Sequence, residues 1–95
     1  MAAYAVFIKE RTLDAGEMAK YSEMVGDTLT GHPVKVLAAY GVQEVLEGPQ
    51  VEGVVVVEFP SIEAAKKWYD SPAYRKAREH RFKGAQYRAV IVEGV

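Results

Sequence analysis

The segment Ala73–Phe82 holds the side chains best suited to chemistry. Tyr74, Ala77 and Arg81 are three and four residues apart, which places them on one face of a helix with His80 beside it. An arginine at the border of a buried face needs an anion, so Arg81 could bind a substrate carboxylate or enolate. His80 titrates near neutral pH and could move a proton. The segment therefore predicts Arg81 and His80 as catalytic residues.

Each of these two residues also has a structural interpretation. Arg81 would form an ion pair inside the protein, and three acids in the predicted strands are its candidate partners: Glu47, Glu58 and Glu93. His80 would be a solvated surface residue. A third interpretation makes His80 an axial ligand of haem, on the strength of one histidine at a helix end. The spacing alone leaves these alternatives open.

Five aromatic residues could line a cleft between sheet and helices as substrate-binding residues. They are Tyr21, Tyr40, Trp68, Tyr69 and Tyr74. Each tyrosine offers an apolar ring and a polar hydroxyl, which suits a small apolar or anionic molecule. Aromatic residues at helical spacing also form cores, and we expect at least half of these five to do so.

Several classes of site are absent from the sequence. The chain has no cysteine, which excludes disulfides, thiol nucleophiles and Cys-ligated metal. Its two histidines, His32 and His80, are distant in the chain, and no nucleotide-binding or hydrolase motif occurs. We therefore expect no metal and no other cofactor.

Length and charge restrict the class of protein further. The 95 residues suffice for one domain, 1–95. No apolar run approaches the ~18 residues of a membrane helix, and no leader segment is evident, so we expect a cytoplasmic protein with no membrane partner. Residues 1–63 carry ten acids and four bases, whereas residues 64–95 carry eight bases and three acids. This split favours two halves that attract each other, within the chain or across a dimer, over a nucleic-acid partner.

Hydrophobic periodicity predicts the elements that position these residues. The strands are Ala3–Glu10, Val34–Gly48 with a bend at Gly41, Glu52–Phe59 and Gln86–Gly94. The first helix begins at an Asp14 cap, and its apolar stripe consists of Met18, Tyr21, Val25 and Leu29. The second helix begins after Ser61 and restarts at Ser71-Pro72. Gly31 and Pro33 separate the first helix from the second strand.

The order β-α-β-β-α-β predicts an α+β, ferredoxin-like two-layer sandwich with an antiparallel sheet. The first and third strands are the most apolar and should be central, with the second and fourth at the edges. These strands are apolar on both faces: Tyr4, Val6 and Ile8 alternate with Ala5 and Phe7. Helices can cover only one face, so we expect a homodimer through the open sheet face.

The chain resembles a bacterial family of small dimeric α/β-barrel proteins known as a domain of unknown function, the thirteen-thirty family. The matching features are Tyr21, Gly31, "LEG" at Leu46–Gly48, "VVVVEFPSIEAAKKWYDSPAYRKAREHR" at Val54–Arg81 and "VEG" at Val92–Gly94. The chain departs from the family at Gly31-His32, where a Gly-Gly pair is usual. The resemblance implies the ferredoxin-like fold and a dimeric α/β barrel, and it implies no particular reaction.

Two functional hypotheses follow from the sequence. In the first, the protein is a cofactor-independent enzyme, monooxygenase- or isomerase-like, that acts on a small apolar or anionic molecule. Arg81 would then stabilise negative charge, while His80 or a tyrosine would transfer protons. In the alternative, it is a non-catalytic dimer that binds a small molecule or a protein partner. The absence of a recognisable nucleophile or metal cluster favours this alternative.

Overall fold

Seven elements follow the predicted order in a computed structural model, which describes residues 1–95. They are β1 (Ala3–Thr12), α1 (Ala15–Thr28), β2 (Lys35–Ala39), β3 (Gly53–Phe59), α2 (Ile62–Tyr69), α3 (Pro72–Gly84) and β4 (Ala85–Glu93). The strands form one antiparallel sheet in the order β2-β3-β1-β4. This confirms the ferredoxin-like α+β fold, with the two most apolar strands at the centre.

Side-chain caps determine where the helices begin. The Asp14 carboxylate accepts hydrogen bonds from two backbone N–H groups of α1, at 2.9 and 3.2 Å, and the Ser61 side chain caps α2. Ser71 has two bonds: its hydroxyl donates to the carbonyl of Trp68 at 2.7 Å and accepts from the N–H of Tyr74 at 3.3 Å. Ser71 therefore joins the end of α2 to the start of α3, where the sequence predicts a break.

The second strand is shorter than the sequence predicts. β2 ends at Ala39, and residues 40–52 belong to no helix or strand. Tyr40 has a φ of 56°, which turns the backbone out of the sheet because strands require negative φ. The prediction of a second strand is confirmed over Lys35–Ala39, and its continuation through a bend at Gly41 to residue 48 is wrong. The valines and leucine of the loop are residue types typical of a strand, but they lie mostly outside the core.

The helices pack on one face of the sheet. From β1, the alternate residues Ala3, Ala5 and Phe7 are buried there. The helices contribute buried residues that include Met18, Tyr21, Ala65, Trp68, Tyr74 and Ala77. The stripe predicted for α1 faces this core, with Val25 and Leu29 partly buried against it. The sequence thus places the core face of α1 correctly.

The opposite face of the sheet is apolar and uncovered. In the strand register, Val6 lies between Val56 and Val90, and all three point away from the helices. Val90 and Val92 of the edge strand are 61% and 52% exposed. Single exposed apolar side chains are common, but a contiguous apolar sheet face is typical of an interaction surface.

Candidate functional site

Helix α3 presents its predicted face to the core. Tyr74 and Ala77 are completely buried, and Arg81, one turn further along, is only 3% exposed. A long cationic side chain is almost never buried to this degree unless an acid accompanies it. The environment of Arg81 therefore decides what this part of the molecule can do.

Aromatic rings surround the Arg81 guanidinium. Its central carbon lies 4.8 Å from the ring centre of Tyr87, 5.1 Å from that of Phe82 and 5.4 Å from that of Phe7. Its Nε is buried and has no hydrogen-bond partner. Ring faces stabilise a cation, but they do not neutralise it.

No carboxylate forms an ion pair with Arg81. The predicted pairing with Glu47, Glu58 or Glu93 is therefore wrong. Glu58 is opposite Tyr4 in the register, which places it on the open face of the sheet, away from α3. Glu47 lies in the exposed loop, and Glu93 ends β4 as an exposed residue. The guanidinium thus lacks an anion inside the chain.

Two tyrosine hydroxyls lie next to this cation and form a buried pair. The hydroxyl oxygens of Tyr21 and Tyr74 are 2.9 Å apart. Burial raises the pKa of Tyr74, and the positive charge of Arg81 partly opposes that rise. Burial and the neighbouring Tyr74 raise the pKa of Tyr21 well above its usual range. Both hydroxyls therefore remain protonated at neutral pH and can donate hydrogen bonds.

Tyr21 also lines a partly enclosed cavity between α1, α2 and the sheet. The cavity measures about 140 Å³. Its eleven lining residues are all hydrophobic or aromatic: Phe7, Tyr21, Val25, Leu29, Val36, Ala39, Tyr40, Val55, Val57, Trp68 and Tyr87. Phe7 and Tyr87 are also two of the rings that contact the Arg81 guanidinium. The cavity is thus apolar, and its wall adjoins an uncompensated positive charge.

On its other side, Arg81 borders an open groove between α3 and β4. The groove is wider than the cavity, about 560 Å³, and Glu10 and Tyr87 also line it. Tyr87 therefore lines both spaces, whereas Arg81 itself lines the open, more polar groove and reaches the cavity only through its neighbours Phe7 and Tyr87.

Trp68 is held rigidly at the edge of the cavity. Its indole N–H donates to the Thr28 hydroxyl at 3.1 Å, and that hydroxyl donates to the Val25 carbonyl at 2.6 Å. Its ring lies 4.1 Å from the ring centre of Tyr74. Because the chain contains one tryptophan, its fluorescence reports on the surroundings of Trp68, which are this cavity and a second apolar pocket beside Ala65 and Ile91.

The structure brings most of the predicted aromatic residues together. Tyr21, Tyr40 and Trp68 line the cavity, and Tyr74 lies behind Tyr21. Tyr69 lines the open groove instead. The core prediction is also confirmed, because Tyr21, Trp68 and Tyr74 are buried.

Tyr87 is the site residue that the sequence reasoning missed. Its hydroxyl lies 2.5 Å from that of Tyr40, and burial followed by this contact raises its pKa above the usual range. Alternation along β4 could have identified it, since Tyr87 is two residues before Ala89 and four before Ile91 on the helix-facing side.

The structure places His80 away from the cavity. Its Nδ1 lies 2.6 Å from a carboxylate oxygen of Glu17, so the contact joins α3 to the first turn of α1. The hydrogen bond with His80 holds the pKa of Glu17 below its usual range. His80 therefore links two helices in this arrangement, and its predicted catalytic role has no partner in the cavity lining.

Two further findings concern metals and membranes. The chain contains no cluster of three or more His, Cys, Asp or Glu residues that could hold a metal ion. None of its helices combines the length and apolarity that crossing a membrane requires.

Comparison with known proteins places the chain among uncharacterised ferredoxin-like proteins. The sequence model of a family described as a domain of unknown function, DUF1330, matches residues 2–95. No curated protein matches the chain.

Three solved structures illustrate the likeness. A protein of unknown function from Rhodopseudomonas palustris has a TM-score of 0.79 at 20% identity, over 99% of this chain and 82% of that one. A dimeric ferredoxin-like protein of unknown function from Jannaschia sp. CCS1 has a TM-score of 0.73 at 13% identity, over 99% and 100% of the two chains. A Dabb family protein with a ferredoxin-like fold from Mesorhizobium loti has a TM-score of 0.66 at 10% identity, over 100% and 99%. At these identities the likeness shows the fold alone.

Proposed function

The chain belongs to the DUF1330 family, whose function is unknown, and we propose from its site that it binds a small, largely apolar molecule carrying an anionic oxygen. The observation that carries this proposal is the buried Arg81 guanidinium, which has no carboxylate partner and an unpartnered Nε. A buried charge without a counter-charge is strongly unfavourable, so a ligand anion would remove a cost that the free protein bears.

The cavity is the best place for the body of this ligand. Its lining is apolar, and electrostatic interactions strengthen where water is excluded. A guanidinium can only donate hydrogen bonds. If the Tyr74 hydroxyl accepts a hydrogen bond from Arg81 and donates one to the Tyr21 oxygen, the hydroxyl hydrogen of Tyr21 is left free to donate toward the cavity. Arg81 then acts on the ligand oxygen through two polarised hydroxyls as well as through its charge.

Binding fits the geometry better than catalysis does. The cavity lining contains no carboxylate and no histidine that could act as a base. The raised pKa values of Tyr21 and Tyr74 make these hydroxyls donors rather than bases at neutral pH. The second candidate is an isomerase- or monooxygenase-like enzyme, and the hydroxyl donors favour it because they would stabilise an enolate oxygen.

The proposal includes a homodimer that forms through the open sheet face and closes an α/β barrel. Val90 and Val92 on that face are more than half exposed, and the structurally similar Jannaschia protein is dimeric. A two-fold dimer would bury the same apolar patch on both copies.

Trp68 fluorescence tests the ligand proposal directly. We would titrate the protein with benzoate and with benzamide, which have similar shape and differ in charge. Benzoate should bind at least ~10-fold more tightly, because a charged hydrogen bond contributes about 1.5–3 kcal/mol. Arg81→Met should abolish this preference. Arg78→Met is the matched control, because Arg78 stacks on Tyr69 at 4.4 Å and has an acid, Asp70, 3.8 Å away.

A second pair of variants locates the ligand. Ala39→Leu fills the cavity, because Ala39 lines it, whereas Ala89→Leu fills the open groove, because Ala89 lines that space. Benzoate affinity should fall in Ala39→Leu and stay unchanged in Ala89→Leu. Equal binding of benzoate and benzamide by the unmodified protein would refute the proposal, and the reverse pattern in the two leucine variants would move the site to the groove.

A further inference from the structure

Tyr40 forms a wall between the cavity and solvent. Its ring lines the cavity, yet the residue is 48% exposed. One side of the ring therefore faces the interior while the other faces water. A ligand that enters the cavity past Tyr40 therefore meets this ring first.

The local backbone is arranged to put the ring there. Tyr40 is the only non-glycine residue with a positive φ, 56°, a conformation that bulky residues rarely adopt. The ring lies against Gly53 of β3, and a Cβ atom at Gly53 would overlap it. In the strand register, Gly53 is opposite Lys9, and Lys9 is opposite Tyr87. The Tyr40 ring thus crosses the central strands toward the far edge of the sheet.

A single hydrogen bond holds the Tyr40 side chain in this position across the sheet. The hydroxyls of Tyr40 and Tyr87 are 2.5 Å apart, which links the residue that follows β2 at one edge of the sheet to β4 at the other. Burial raises the pKa of Tyr87, so its hydroxyl stays protonated and able to form this bond throughout the physiological pH range.

The surroundings of Tyr40 allow its side chain to move. Residues 41–52 follow it outside any helix or strand, and Val42 and Leu46 are almost completely exposed. The backbone of Tyr40 is anchored, because its N–H donates to the Val54 carbonyl at 3.0 Å. Rotation of the side chain therefore breaks one hydroxyl contact and no sheet hydrogen bond.

We propose that Tyr40 is the gate of the cavity: its ring leaves Gly53 to admit a ligand and closes again when its hydroxyl meets that of Tyr87. This inference rests on the proposed ligand site in one respect, namely that the cavity receives a molecule. The gate also determines ligand size, because the closed ring limits the cavity to about 140 Å³.

Access to Trp68 tests the gate without any ligand. We would measure quenching of Trp68 fluorescence by acrylamide, and the association rate of benzoate by stopped-flow fluorescence. Tyr40→Phe removes the hydroxyl contact and should raise the open population, and with it both rates, by about 2–10-fold, the effect of losing one hydrogen bond. Tyr40→Ala removes the ring and should raise both rates at least as much. Leu37→Ala is the matched control, because Leu37 is on β2 just before Tyr40, is 46% exposed and does not line the cavity.

Gly53→Ala gives an independent variant in which Tyr40 is intact. Its added methyl group should displace the ring and raise acrylamide quenching in the same direction. Quenching in all three variants equal to that of Leu37→Ala would overturn the gate, even where benzoate binds. Conversely, failure of the unmodified protein to bind benzoate, together with faster quenching in the variants, would refute the ligand proposal and leave the gate supported.

Discussion

Replacing Arg81 with methionine should make the free protein more stable, which is unusual for a buried residue. Methionine retains most of the apolar length of the side chain and removes the charge. Arg81 is 3% exposed, and its guanidinium has no carboxylate partner and an unpartnered Nε. If Arg81 serves a ligand rather than the fold, the charge is a liability until the ligand is present.

The expected gain follows from opposing contributions. Desolvation of a buried ion costs several kcal/mol after relaxation, and a buried donor without a partner costs about 1–3 kcal/mol. Three aromatic rings lie 4.8–5.4 Å from the guanidinium carbon and offset this by about 1 kcal/mol each. We therefore predict that Arg81→Met raises the free energy of unfolding by about 1–3 kcal/mol. At about 4–8 °C per kcal/mol for a domain of this size, the shift in Tm is easily resolved.

Urea denaturation at one fixed protein concentration measures this change. Arg78→Met is the control: Arg78 has an acid partner and a ring partner, so its loss should lower stability or leave it unchanged. Benzoate at ~100 times its Kd should stabilise the unmodified protein by about 2.7 kcal/mol, and Arg81→Met, if it binds benzoate ~10-fold more weakly, by only about 1.4 kcal/mol. If Arg81→Met loses more than ~2 kcal/mol, the size of a lost core contact, Arg81 is a structural residue and the reasoning fails.

Three further predictions concern the helices and the open face. Because its pKa is lowered in the folded protein, Glu17 should stabilise the fold at neutral pH and lose this effect as the pH falls through its folded pKa. Glu17→Gln should therefore flatten the acid side of a plot of Tm against pH. An unchanged slope would contradict the role of His80 as the partner of Glu17. Asp14→Ala should lower the free energy of unfolding by about 1 kcal/mol, measured by urea denaturation, since the helix cap is lost. Val90→Lys should shift the species in sedimentation velocity from twice the chain mass to 10.5 kDa, whereas a monomer before substitution would exclude the dimer.

The sequence predicts the elements that depend on periodicity and caps. Asp14, Ser61 and Ser71 all cap helices as expected. A side-chain oxygen just before an amphipathic run can accept a hydrogen bond from an otherwise unpaired N–H of the first helical turn. The strand order follows from apolarity, since the most apolar strands need neighbours on both edges. β2 is the exception, because valine and leucine in the loop after Tyr40 have the composition of a strand but form none.

The site is less predictable from the sequence, because it depends on the lack of an acid partner for Arg81 and on contacts between residues that are distant in the chain. Spacing places Arg81 on the buried face of α3, but it does not reveal that no acid forms an ion pair with it. Glu58 is excluded only by its register on β3, which turns it to the other side of the sheet. Tyr40 and Tyr87 are 47 residues apart, and only the pairing of four strands brings their hydroxyls together.

The sheet of this protein is one layer thick, and we assign a separate role to each of its two faces. Val55 and Val57 line the cavity, while Val54 and Val56, their neighbours on the same strand, face the open side on which we place the second copy. A shift of β3 that accommodates a ligand would therefore also displace the side chains at the dimer surface. By thermodynamic linkage, a ligand that tightens the dimer by some factor must bind the dimer more tightly than the monomer by the same factor. Ligand affinity measured above and below the dimer dissociation constant gives that factor directly.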